Sequence, residues 1–148
     1  MAFKIDNKKL PKIYIVLGAP HSATSLIAKG LHDNGIDMNP LNENFEDLEF
    51  ERVNQKILRK KKYKQGLEKL IKERDKKHLW GWKEPKTSLT LDKYLPYLKN
   101  DVYLFCCFRK PSILLKNWKE TKHTSGGRKL LDKFNKKLLK NIKKFLEL

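Results

Sequence analysis

Three short apolar runs, at residues 13–17, 78–83 and 101–108, each break into a polar turn and then into helical patterning. This rhythm constrains the fold more than any other feature of the chain. The first run (IYIVL) and the third (DVYLFCCF) are apolar without clear alternation, the pattern of strands covered on both faces as in parallel sheets. The second, HLWGWK, is shorter and aromatic. Strands separated by helices predict an α/β fold with a parallel sheet. A chain of 148 residues is expected to form one such domain, with residues 1–11 as a loosely held lead-in.

The first helix is expected to open near Thr24, to present Leu26, Ile27 and Leu31 on one face and to stop at Asn34-Gly35. Residues 36–44 read as a loop with Asn39-Pro40 as its turn signal. Helical patterning resumes near Phe45 or Glu46 with Leu48, Val53, Ile57 and Leu58. It breaks at Lys60, Lys61 and Lys62, which read as a solvated face, and continues over about 65–77. A helix is expected over about 88–98. Another follows Arg109-Lys110-Pro111 with Ile113, Leu114 and Trp118 as its apolar positions. The last spans 128–148 with the stripe Leu131, Phe134, Leu138, Ile142 and Phe145.

Charge decides which ligands such a fold would meet. Lys and Arg number 34 against 17 Asp and Glu, a formal +17, which favours polyanions and phosphorylated or sulfated ligands. Residues 30–51 run the other way: seven acids, among them Glu43, Glu46 and Glu51, and no Lys or Arg. The only cysteines, Cys106 and Cys107, are neighbours on a strand, so their side chains diverge and a bridge between them is not expected; buried free thiols suit a reducing compartment. The opening MAFKIDNKK lacks the apolar core of a signal peptide and no apolar run reaches membrane length, so a soluble, cytoplasmic chain without membrane contact is expected. His32, His78 and His123 show no metal-ligand spacing, and no metal is expected.

In parallel sheets ligands gather at the carboxyl ends of the strands. Three polar clusters fall there: residues 18–25, Lys83-Glu84 and Arg109. The first, GAPHSATS, is a small-residue turn between strand and helix, which offers backbone N–H groups and the hydroxyls of Ser22, Thr24 and Ser25 to an anion at the positive end of the helix dipole. It reads equally well as a tight turn capped by Ser22. It lacks the Lys of the triphosphate loop GxxxxGK[ST], since Ala23 precedes Thr24, and no acid ends an apolar strand to hold magnesium; an ATPase or kinase is therefore disfavoured.

Four segments together resemble the sulfotransferase family in its bacterial and phage-type form. GAPHSATSLIAKGLHDNG is similar to the family's G-x-P-[RK]-S-G-T-[ST] loop and apolar helix, and NENFEDLEFERVNQKIL to its N-P-x-G-[FY]-F-E-D segment. WGWKEPKTSLTL is similar to W-x-K-D-P-R, and FCCFRKPSILLKNW to a strand ending in R-x-P. They come in the family's order over residues 13–118. The resemblance implies a three-layer P-loop-NTPase-like fold, with 3′-phosphoadenosine 5′-phosphosulfate (PAPS) as co-substrate. Its sulfuryl group would pass to a hydroxyl or amine of a small-molecule, glycan or peptide acceptor. It places Pro20, His21, Ser22, Ala23, Thr24 and Ser25 on the phosphosulfate, Arg109 and Asn117 on the 3′-phosphate, and Lys83 on the leaving group. Glu46 becomes the candidate base, with Glu43 and Glu84 behind it.

The chain departs from the pattern at His21 for Arg or Lys, Ala23 for Gly, Asn117 for Ser and Lys86 for Arg. His21 carries a charge that titrates near neutrality, and a positive φ at Ala23 would be costly. Trp80, Trp82 and Trp118 read as core, with one available to stack on adenine. Residues 125–128 hint at a second phosphate contact or at a plain helix-breaking loop. Two further readings stay open: a basic nucleic-acid-binding protein, since residues 109–148 hold thirteen Lys or Arg against three acids, and a donor-binding domain without turnover.

Overall fold

The computed structural model describes residues 10–121 and 127–148. His123 and residues 125–126 of the proposed second phosphate contact lie outside them, as do residues 1–9 of the lead-in. The elements run β1 (Lys12–Gly18), α1 (Thr24–Asp33), α2 (Leu48–Leu58), α3 (Lys64–Arg74), β2 (Leu79–Lys83), α4 (Thr87–Tyr94), a 3-10 turn (Leu95–Tyr97), β3 (Asp101–Cys107), α5 (Pro111–Thr121) and α6 (Gly127–Leu146). The expected α/β architecture is present. Its three strands form one parallel sheet in the order β2-β1-β3, with Ile13 opposite both Trp80 and Val102.

Strand alternation sorts the apolar residues onto two faces. Ile13, Ile15 and Leu17 of β1 and Trp80 and Trp82 of β2 meet Phe50 and Val53 of α2, Leu67 and Leu70 of α3, Leu91 and Tyr94 of α4 and Leu138 of α6. At the centre of this core Phe50 stacks on Trp82, with ring centroids 4.0 Å apart and planes 2° from parallel. On the opposite face Val16 meets Ala28 of α1 with Ile36 and Met38 of the following loop.

That second face is only partly covered, which corrects the expectation for β3. Tyr103 and Phe105 are 42% and 36% exposed, on the side of the sheet where α1 packs over β1 and β2. Cys106 and Cys107 do point to opposite faces, but both are half-buried rather than buried. Leu26 also departs from expectation: it is exposed, and α1 buries Thr24 and Ala28 instead, flanked by Ile27 and Leu31.

The helix resuming after the loop begins at Leu48, later than expected. Phe45 has φ 56°, in the left-handed region, and the buried Asp47 caps the helix by accepting from the N–H groups of Glu49 and Phe50. Burial pushes the Asp47 carboxyl up, against the pull of Arg74, whose Nη2 lies 2.9 Å away. The helix expected over 88–98 closes at Tyr94 and passes into the 3-10 turn. All three tryptophans are enclosed, so none is placed to stack on a nucleotide in the cleft. Among the described residues no helix is long and apolar enough to cross a membrane.

Candidate functional site

The carboxyl ends of the three strands open into one cleft of about 700 Å³, bordered by residues of the first turn, by Glu46, Lys83 and Glu84, and by Arg109. Leu89, Leu130 and Phe134 give it an apolar wall from α4 and α6. A volume of this size suits a nucleotide-sized ligand.

The turn from β1 to α1 is held from below. Gly18 has φ +155°, and a Cβ there would fall 2.5 Å from Ser22 Oγ and 2.7 Å from the Cys107 carbonyl, so only glycine fits. Its N–H donates to Ser88 Oγ at 2.9 Å, and Asn141 of α6 donates to the Ser88 carbonyl at 3.0 Å. Above it, His21 and Ala23 have φ 66° and 65°. Two non-glycine residues in the left-handed region cost on the order of 1–2 kcal/mol each, a strain of the kind found where backbone is shaped for a ligand.

Ser22 is not the cap of α1. Its hydroxyl donates to the Ala19 carbonyl at 2.5 Å, inside the turn, and Ala23 occupies the N-cap position with no side-chain hydrogen bond to the first helical N–H groups. The first turn of α1 carries no acid either. The residues that open the helix, Ala23, Thr24 and Ser25, border the cleft.

Lys83 ends β2. Trp82 faces the core, so the next side chain projects to the other side, where it is 3% exposed. Its Nζ donates to the Asn44 carbonyl at 3.0 Å, Glu46 Oε1 at 3.2 Å and Ser25 Oγ at 3.3 Å, which uses all three ammonium protons. The structure thus brings together three residues from separate segments: Ser25 of the turn, Glu46 of the acidic stretch and Lys83. Arg109, exposed beyond β3, reaches back to donate from Nη1 to the His21 carbonyl at 3.1 Å, and so braces the turn at the border of the cleft.

Glu84 is 4% exposed. Burial pushes its carboxyl up to about 7, opposed by a hydrogen bond from Asn54 and by the charge of Lys86. Asn54 donates to Glu84 and, at 2.9 Å, to Thr87 Oγ1, while its own oxygen accepts from the hydroxyls of Thr90 and Tyr94 at 2.6 Å each. Trp82 Nε1 closes the network on Thr87 at 3.1 Å. Four polar residues were legible as misfits: Asn54 beside Val53, Thr87 and Thr90 on α4, and Asn141 in the stripe of α6 lie at inward positions of amphipathic helices.

Among the sequence candidates, Pro20, His21, Ala23, Thr24, Ser25, Glu46, Lys83, Glu84 and Arg109 border the cleft. Ser22 and Asn117 do not, and neither does Glu43; Asn117 lies half-buried on α5. Glu51 and Lys86, 3.6 Å apart, border it as well. No cluster of three or more His, Cys, Asp or Glu side chains among the described residues is placed to hold a metal ion. No family model, curated protein or solved structure matches the chain.

Proposed function

We propose that the cleft binds PAPS and passes its sulfuryl group to a hydroxyl or amine acceptor, within a three-layer P-loop-like fold of the sulfotransferase type. The observation that carries the reading is Lys83. It is a buried ammonium at a strand end, hydrogen-bonded to the first turn of the uncapped helix α1 and sharing its cleft with a guanidinium. A cleft that also holds three carboxylates would ordinarily repel an anion. Here Glu46 is paired with Lys83, Glu51 with Lys86, and Glu84 is largely neutral below pH 7. The helix N-terminus and Arg109 are left to face the ligand.

Transfer forms a bond between acceptor oxygen or nitrogen and sulfur as the bridging S–O bond breaks, and its electron pair passes to the 5′-phosphate oxygen. Lys83 stabilises that oxygen, exchanging its longest contact, to Ser25, for it. The acceptor proton goes to a carboxylate. Glu84, half-ionised near neutral pH, matches that role better than Glu46, whose carboxylate holds Lys83 in place. Arg109 takes the 3′-phosphate through its planar fork.

The test is calorimetric titration of the chain with 3′-phosphoadenosine 5′-phosphate, followed by transfer of labelled sulfate to an acceptor panel. Binding that Arg109→Ala weakens by about ten- to a hundredfold supports the reading. Absence of binding at millimolar ligand overturns it. Binding without transfer to any acceptor reduces the site to a donor-binding domain.

A further inference from the structure

We propose that the outer face of α6 is a second, separate binding site, which tracks the phosphodiester backbone of a nucleic-acid duplex without reading its sequence. This goes beyond the sulfuryl-transfer reading and does not depend on it. Lys129, Lys133, Lys136, Lys140 and Lys143 are all exposed and recur at steps of four and three residues, which keeps them on one side of the helix. The opposite stripe, Leu131, Phe134, Leu138 and Asn141, is buried against the rest of the fold, which leaves the lysine side of the helix to solvent.

No carboxylate of the described residues pairs with any of the five. Asp132, the one acid inside α6, is taken by Arg128 at 3.2 Å, and Asp92 meets Lys137 on the flank of the helix at 3.7 Å. Elsewhere the same chain supplies partners at helical spacing, as in Lys72 with Glu68 and Lys76 with Glu73. On α6 neighbouring lysines stand three and four residues apart with like charge, which works against the helix in the absence of a counter-charge. An extended polyanion removes that repulsion.

The dimensions select the polyanion. From Lys129 to Lys143 the row covers about 21 Å, more than the width of about 12 Å of a duplex's major groove, so it can reach phosphates on both sides of a groove. The helix exposes no aromatic ring, and its exposed large apolar residues are Leu139 and Leu146, so it offers no stacking platform for single-stranded bases. With its apolar stripe already spent in the core, it has no wedge to bury in a bilayer either. Ammonium groups are point charges without the fork that reads guanine, so contact with the backbone alone is expected.

The experiment is fluorescence anisotropy of a labelled 24-base-pair duplex of arbitrary sequence, as DNA and as RNA, with the full chain between 50 and 200 mM NaCl. Five neutralised phosphates predict about a 500-fold loss of affinity across that range. Combined Lys133→Gln, Lys136→Gln and Lys140→Gln should cut the loss to about tenfold, and Lys→Arg at the same three positions should restore it. Combined Lys60→Gln, Lys61→Gln and Lys62→Gln removes the same charge from another surface and should leave the salt dependence nearly unchanged. The proposal is overturned by any of three results: no duplex binding at 50 mM salt, equal weakening by the two glutamine triples, or binding of phosphatidylserine vesicles through the α6 lysines in the absence of duplex binding. Preference for DNA or RNA identifies the source of the backbone.

Discussion

In the cleft Lys83 and Lys86 each face a carboxylate, Glu46 at 3.2 Å and Glu51 at 3.6 Å, whereas along α6 five lysines face water and one another. Both regions are cationic, yet they hold charge in different ways. The cleft is assembled from distant segments, and each polar part is positioned by another: Lys83 by three oxygens, Glu84 by Asn54, the turn by Arg109. Such pre-organisation suits one small ligand in one pose, because the protein dipoles are already oriented when charge develops. The α6 row is local in sequence and unconstrained in its side chains. It suits a long partner whose charges repeat, and its strength should fade with salt as exposed electrostatics do.

The comparison can be broken first at Lys83. Lys83→Met keeps the volume of the stem and removes the buried cation. Sulfuryl transfer measured with labelled donor should fall by about 10³-fold, while duplex binding by α6 stays as it was. A fall of less than tenfold would separate Lys83 from the chemistry.

Glu84 gives the next largest effect. In the unfolded chain its carboxyl titrates near 4.5 and in the folded chain near 7, so between those values the folded state holds more protons and stability falls as pH rises. The penalty is absent below pH 4.5 and complete by about pH 8, where it amounts to about 3 kcal/mol. Glu84→Gln retains an oxygen for Asn54 and removes the charge. Urea denaturation should find it more stable than the parent by about that amount at pH 8 and equal to it at pH 4. A difference that does not change with pH would mean that the carboxyl is not titrating in the folded chain.

Ala23→Gly sharpens the contrast between a strained turn and a regular helix. It should raise stability by about 1 kcal/mol, as relief of the left-handed alanine outweighs the freedom glycine gains in the unfolded chain. A lower melting temperature would mean that the methyl group is itself packed. The smallest effect belongs to α6. Lys136→Glu places an acid four residues before Lys140 and three after Lys133, and thermal melting should show a gain of about 0.5 kcal/mol. No gain would mean that the row carries no repulsion for a partner to relieve.

How far the residues alone revealed this molecule depends on the range of the interaction involved. The strands, most helices and the strand-end clusters were readable from periodicity and from turn residues, because burial of one face imposes a pattern on neighbouring positions. Helix starts were less so: α2 begins at Leu48 behind the cap Asp47, not near Phe45 or Glu46, and Asp47 is held there in contact with Arg74 of the next helix. Ser22 looked like a cap for α1 by type, but the turn drew its hydroxyl inward to Ala19.

The residue pattern was enough to establish an α/β chain with a parallel sheet, a basic balance, and the residue types gathered at three strand ends. It also determined the α6 lysine row, since helical spacing places those residues on one side whatever they pack against. Which carboxylate holds Lys83, and which one is pushed toward neutrality, was set by packing in three dimensions. Those outcomes depend on distance and on exclusion of water, which residues 46, 54, 83 and 84 acquire only when β2 and α2 come together. The exposure of Tyr103 and Phe105 was decided there as well, because a strand read as apolar on both sides became the edge of the described sheet.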